Sequence, residues 1–162
     1  MEGRAKVCTE MGKSKQRPYS ITEDIFKSTM ASIQGLIRPL LQEVYQDDAW
    51  KMLVCCILLN LTKRTQVDII RDELFTLYPT AHKMMNANQS ELSKLLQPLG
   101  LYNRRARSLI KFSADYINGF NSVDQLYGIG QYAKDSWEIF QNDNRSVNPT
   151  DKVLIQYLQQ TK

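Results

Sequence analysis

A glycine-flanked turn constrains this chain more than any other feature. Leu126 to Trp137 reads LYGIGQYAKDSW, with Gly128 and Gly130 astride Ile129. Glycine suits backbone that turns with positive φ or passes close to a ligand, because no Cβ stands in the way. If Gln131 opens a helix, the unbonded amides of its first turn point outward and hold a phosphate oxygen. Ile129 is then the apolar plug that seats the turn between two helices. A clamp on a nucleic-acid backbone fits this pattern, and so does an ordinary turn, because G-x-G is common. Asp151, well past the turn, is the second residue to follow.

Elsewhere the period is helical nearly throughout. Ser20 to Glu23 fits a capping box ahead of Ile21, Ile25, Phe26 and Met30, with Gly35 closing that helix. Pro39 suits the first turn of the next helix, which runs toward Tyr45. Asp47 or Asp48 caps Trp50 to Leu59, whose WKMLVCCILL is apolar enough to predict a buried central helix. Thr65 to Leu77 is amphipathic and stops before Pro79. Asn88 and Glu91 mark a short helix that ends near Pro98. Asn103 starts another, with Ala106, Leu109, Ile110, Ser113 and Tyr116 on recurring faces, and Gly119 stops it. Ser122 caps a single turn into the hairpin, and Gln131 to Phe140 follows. Asn148-Pro149 offers an N-cap and first-turn proline for a terminal helix. With no strand-like alternation and no internal repeat, the expected fold is all-α.

Composition narrows the function. The 162 residues are enough to bury a core, as one domain or two small lobes. No apolar run approaches the ~20 residues of a membrane span, and Met1 to Ser20 is too polar and basic for a secretory leader. Of three cysteines, Cys55 and Cys56 are neighbours inside the apolar run and read as buried reduced thiols. With His82 as the single histidine, expected on the surface, they assemble no zinc or iron–sulfur ligand set, so neither metal nor cofactor is expected. The net charge is +4, and residues 1–18, read as a basic flexible tail, carry five Lys/Arg against two Glu. In the body, Leu101 to Lys111 holds Arg104, Arg105, Arg107 and Lys111 with no acid, and Lys63-Arg64 forms a second basic pair. Phosphate contacts and a solvated helix face both explain such clusters.

Four stretches carry a resemblance: AWKMLVCCILLNLT, LLQPLGLYNRRARSLIKFSADY, LYGIGQYAKDSWEIF and NPTDKVL. In this order the chain resembles the helix-hairpin-helix (HhH-GPD) DNA glycosylase superfamily. Within it, the likeness is to the thymine/uracil mismatch enzymes of the methyl-CpG-binding-domain protein 4 family. The resemblance implies two helical lobes with a DNA-binding cleft between them, and a glycosylase domain over residues 19–162.

It also implies roles. Asp151 matches the catalytic aspartate of the NPTD string. A carboxylate near C1′ stabilises oxocarbenium charge and orients the attacking water, whereas an aspartate at a helix start has a plain structural use. Tyr132 stands where bifunctional relatives place the lysine that forms a Schiff base. Lys134, about 200° further around a helix, faces elsewhere. A monofunctional enzyme without strong lyase activity is therefore expected. Gln42 matches a pocket glutamine that pairs with a pyrimidine edge, the alternative being an exposed helical amide. Leu101 matches a wedge into the duplex, and Leu61 stands where the mismatch enzymes have an arginine. Lys152 replaces the usual histidine after the aspartate. Gly128, Ile129, Gly130 and Gln131, with Lys63, Arg64, Arg104 and Arg105, are the expected contacts to the DNA backbone.

Three functions remain open on this reading. The first is hydrolytic removal of thymine or uracil mispaired with guanine after base flipping, by a monomer acting on double-stranded DNA in the nucleus. The second is a helix-hairpin-helix DNA-binding module with weak or no catalysis, which the Leu61 and Lys152 departures favour. The third is an all-α interaction scaffold.

Overall fold

The computed structural model describes residues 38–161 together with positions 25, 26 and 29. The capping box at Ser20 to Glu23, the stop at Gly35 and the basic tail lie outside these residues. Positions 25, 26 and 29 are helical and exposed. Pro39–Lys162 forms one compact unit, and no strand occurs among the described residues.

The helices are α1 (Leu41–Val44), α2 (Ala49–Leu59), α3 (Arg64–Leu77), α4 (Ala81–Met85), α5 (Gln89–Leu95), α6 (Tyr102–Asn118), α7 (Gln131–Phe140) and α8 (Lys152–Gln160). Short 3₁₀ turns occupy Gln97–Leu99 and Val123–Gln125. As the apolar run predicts, α2 is central. Trp50 and Met52 to Leu58 are all buried, and α2 packs on α1, α3, α6 and α7. Its start is set by Asp48, whose carboxylate accepts the Lys51 amide at 3.0 Å. The Trp50 indole N–H donates to Ser113 Oγ at 3.0 Å, tying α2 to α6 inside the core. A buried donor left unpaired there costs about 1–3 kcal/mol.

The long helix α6 covers α4 and α5 and buries Ala106, Leu109 and Phe112. It stops at Gly119, whose φ of +86° suits glycine. A second, smaller apolar cluster of Ile139, Leu154 and Leu158 joins α7 to α8.

Both prolines expected inside first helical turns sit earlier. Leu40, not Pro39, is the N-cap of α1. Asp151 itself caps α8, its Oδ1 accepting the amides of Val153 at 2.9 Å and Leu154 at 3.1 Å. Asp is among the strongest N-caps, and its side chain displaces Asn148 from that task. Ser122 makes no cap bond either; its hydroxyl turns to Asp124.

Two leucines adopt left-handed backbone, Leu61 at φ +57° and Leu101 at φ +48°. Both are exposed, at 87% and 59%. Left-handed backbone costs a non-glycine residue about 1–2 kcal/mol, and solvent-facing side chains recover little of it by burial. Leu61→Gly and Leu101→Gly are therefore expected to leave the melting temperature unchanged or raise it by about 2–4 °C, read by circular dichroism. A clear fall would show that these side chains serve the fold.

Candidate active site

The loop after α2, the 126–130 hairpin, the start of α7 and the start of α8 converge on one cavity of about 690 Å³. That lies within the ~300–1,000 Å³ range of small-ligand pockets. Gln42, Leu61, Arg64, Gly128, Ile129, Gly130, Gln131, Tyr132 and Asp151 all border it. Residues far apart in sequence and singled out separately thus share one wall. Lys63, Leu101, Arg104 and Arg105 do not line the cavity.

The hairpin is built as its composition predicts. Gly128 has φ +79°, and an added Cβ would meet nothing within 4 Å, so conformation alone calls for glycine there. Ile129 packs against the main core. Gly130 is the N-cap of α7, no side chain caps that helix, and the first-turn amides are left for an outside acceptor. The Gln131 side chain instead donates to Asp135 at 2.7 Å. Tyr127, ahead of the turn, donates its amide to Asp115 at 3.2 Å. Lys111 lies 4.3 Å from the Tyr127 ring centroid, so one cation of the α6 cluster braces the hairpin.

Beneath the hairpin sits a neutral polar network. Gln42 is 1% exposed, which removes the alternative of a surface amide. Its Nε2 donates to Tyr132 Oη at 2.6 Å and Ser136 Oγ at 3.0 Å, with Cys56 Sγ at 3.8 Å. Its Oε1 has no donor among the described residues. Burial raises the Tyr132 phenol above its ordinary pKa, and the nearby Cys56 and Asp151 raise it further, so the ring stays uncharged. Ser136 and Cys56 were not anticipated as members. Ser136 had a signal, one helical turn after Tyr132 and hence on its face.

Burial pushes the Cys56 thiol up to about 12, and raises Cys55 as well. The unfolded chain ionises its thiols above their ordinary value of 9.0, while the folded chain keeps them protonated. Stability conferred by this burial is thus full below pH 9 and falls as pH rises toward 12. Urea midpoints are expected to decline less steeply above pH 9 in Cys56→Ala than in the unsubstituted protein. Parallel declines would contradict a protonated Cys56.

Asp151 also borders the cavity. Both helix-cap bonds fall on Oδ1, and no donor among the described residues reaches Oδ2. One oxygen holds the helix, and its twin is left without a described partner. Lys134 pairs with Asp124 at 3.9 Å rather than lining the cavity, and Arg64 is the single cation among the described residues that line it. Its guanidinium bonds both oxygens of Asp68, at 2.9 and 3.0 Å, and Pro39 O at 3.1 Å. No cluster of three or more metal-ligating side chains occurs among the described residues, and no described helix is long and apolar enough to cross a membrane.

The expectation for Arg105 needs correction. It is 7% exposed, and its guanidinium turns inward to backbone carbonyls rather than outward to phosphates. Its position one turn before Leu109 on the buried stripe of α6 explains why. Arg104 and Arg107 remain on the exposed face.

Comparison with known proteins agrees with this architecture. The profile of the HhH-GPD superfamily base excision DNA repair protein matches residues 54–160. The chain is 37% identical over 120 residues to a methyl-CpG-binding domain protein 4-like protein of Arabidopsis thaliana, a span of 73% of this chain and 27% of that protein. It is 33% identical over 94 residues to a thymine/uracil-DNA glycosylase of Pyrobaculum aerophilum, covering 53% of this chain and 41% of that one. The solved structure of a thermostable thymine-DNA glycosylase superposes with a TM-score of 0.60 at 23% identity, covering 75% of this chain and 60% of its own. At that identity the likeness concerns the fold. The matched part of the chain spans 27% and 41% of the length of the two curated relatives. A helical domain with a glycine hairpin, matched by one family profile over more than half its length, belongs to the HhH-GPD superfamily of base excision DNA repair proteins.

Proposed function

We propose that this protein is a monofunctional DNA glycosylase that hydrolyses the N-glycosidic bond of thymine or uracil mispaired with guanine. The observation that carries the proposal is Oδ2 of Asp151, unpaired among the described residues, in the lining of the same cavity as the Gln42–Tyr132 pair. An extruded pyrimidine enters the cavity, and the unpartnered Gln42 Oε1 accepts its N3–H. Extrusion costs a few kcal/mol, least at a mismatch, and Leu61 and Leu101 fill the vacated stack. As the bond from C1′ to the base lengthens, Asp151 stabilises the positive charge on the sugar and orients a water. The water adds its hydroxyl to C1′, and its proton leaves with the base. Free pyrimidine and an abasic site are the products.

A hydrolytic rather than a lyase course is supported by the tyrosine at position 132 on the cavity, where no described residue brings an amine. Tyr132 occupies the position suited to such an amine, and its phenol cannot form a Schiff base. The hairpin amides, with Lys63 and Arg104, hold the duplex backbone. Double-stranded DNA is the partner, the protein acts as a monomer, and the proposed compartment is the nucleus, where that substrate lies. No metal or organic cofactor takes part.

The test is base release from duplexes bearing one G·T, G·U, A·T or A·U pair, with abasic sites then cleaved by hot alkali. Strand breaks at G·T and G·U, unaffected by EDTA and absent without alkali, are expected. Tight duplex binding with no breaks would instead establish the DNA-binding module that Leu61 and Lys152 favour.

A further inference from the structure

We infer that Arg105 is a positioning residue that sets the two exposed leucines, Leu61 and Leu101, as one unit for entry into the duplex. The inference rests on the base extrusion proposed above. Arg105 lies in α6, yet its guanidinium spans two separate loops. Nε donates to Gly100 O at 2.9 Å. One Nη donates to Leu58 O at 3.1 Å, closing the end of α2. The other Nη donates to Asn60 O at 3.0 Å and lies close to Thr62 Oγ1 at 2.6 Å.

The carbonyls of Asn60 and Gly100 are those immediately preceding Leu61 and Leu101. Fixing a carbonyl fixes its peptide plane, and that plane sets φ of the residue that follows. Both following residues are leucines at φ near +50°, a conformation that L side chains avoid. Such backbone persists only where its surroundings over-determine it. Here one planar, permanently charged fork does so for both loops. Thr62 completes the hold, its hydroxyl also donating to Asn60 O at 3.2 Å. The leucine side chains gain nothing from this in the isolated protein, because they face solvent. The arrangement fits two apolar wedges kept ready at a fixed separation, so that neither is ordered at the moment of binding.

Lysine keeps the charge but not the fork, so Arg105→Lys separates the two roles. Extrusion is followed in a stopped-flow experiment with 2-aminopurine placed beside the thymine of a G·T pair. Binding to a duplex carrying a tetrahydrofuran abasic analogue reports on contacts that need no base to be unpaired or unstacked. In Arg105→Lys the fluorescence rise is expected to slow about tenfold, with affinity for the abasic duplex within about twofold. In a Leu61→Ala/Leu101→Ala background the same substitution is expected to have no further effect on extrusion. Equal losses on both duplexes, or a full further loss in that background, would overturn the inference and leave Arg105 a residue of the fold. Thr62→Val, which removes one partner, is the variant for use if Arg105→Lys does not fold. It is expected to slow extrusion without weakening abasic-duplex binding, and no slowing would overturn the inference. An unsubstituted protein that binds DNA but gives no fluorescence rise overturns the extrusion itself, a result distinct from any behaviour of the variants.

Discussion

Asp151→Asn is expected to lower base release by about 10³-fold while leaving the melting temperature within about 2 °C of the unsubstituted protein. The two effects separate because the proposed chemistry and the observed helix cap draw on different properties of Asp151. Its Oδ1 caps α8 through the Val153 and Leu154 amides, and asparagine caps a helix about as well as aspartate. The charge on the carboxylate has no neutral substitute, since an amide cannot offset an oxocarbenium ion. Asp151→Ala is expected to lose both, with about 1 kcal/mol of helix stability lost in addition. Single-turnover release from G·U duplex and a thermal melt measure the pair. A melt that collapses with Asp151→Asn would make the residue chiefly structural, and retained release would remove it from the chemistry.

Gly130→Ser is expected to weaken DNA binding about tenfold, and Gly128→Val to weaken it further, but only the second should also destabilise the fold. Gly130 has φ −102°, open to any residue, and an added Cβ there meets no atom within 4 Å. Serine is moreover a better N-cap than glycine by a few tenths of a kcal/mol. Nothing among the described residues asks for glycine at 130, so a cost on substitution points to something outside them that approaches the backbone. Gly128, at φ +79°, is needed by the turn itself, and a β-branched residue there is strained by about 1–2 kcal/mol. Fluorescence anisotropy across a salt series, with melts in parallel, reads both. Unchanged affinity for Gly130→Ser would make the hairpin an ordinary turn and favour the scaffold function.

The elements that local chemistry specifies were legible in the residues. Gln131–Phe140 follows from a glycine hairpin ahead of an amphipathic run, α2 from its unbroken apolar composition, and the end of α6 from Gly119. Errors arose where two local signals competed. Asn148-Pro149 resembles a helix start, yet Asp151 offers a better-placed carboxylate and takes the cap. Arg105 reads as one more cation of a basic cluster, and only its place on the buried stripe of α6 shows that it turns inward. The left-handed backbone of Leu61 and Leu101 has no signature in composition, because leucine seldom adopts it and the cause lies in carbonyls held by a distant side chain. For the site, the motif residues were visible one by one. Their sharing of a single cavity with Cys56, and the bond from Gln42 to Ser136 behind it, come from packing between α1, α2 and α7.

The most direct measurement is a crystal structure of Asp151→Asn bound to a duplex with 2′-fluoro-deoxyuridine opposite guanine, a nucleotide whose glycosidic bond resists hydrolysis. The expected density has the uracil ring in the cavity against Gln42 and Tyr132, and C1′ within about 3.5 Å of the residue 151 side chain or of a water it holds. Leu61 and Leu101 would stand in the opened stack, with a phosphate on the amides after Gly130. A uracil still paired in the helix, or one seated away from residue 151, would contradict the assignment of this carboxylate to the chemistry.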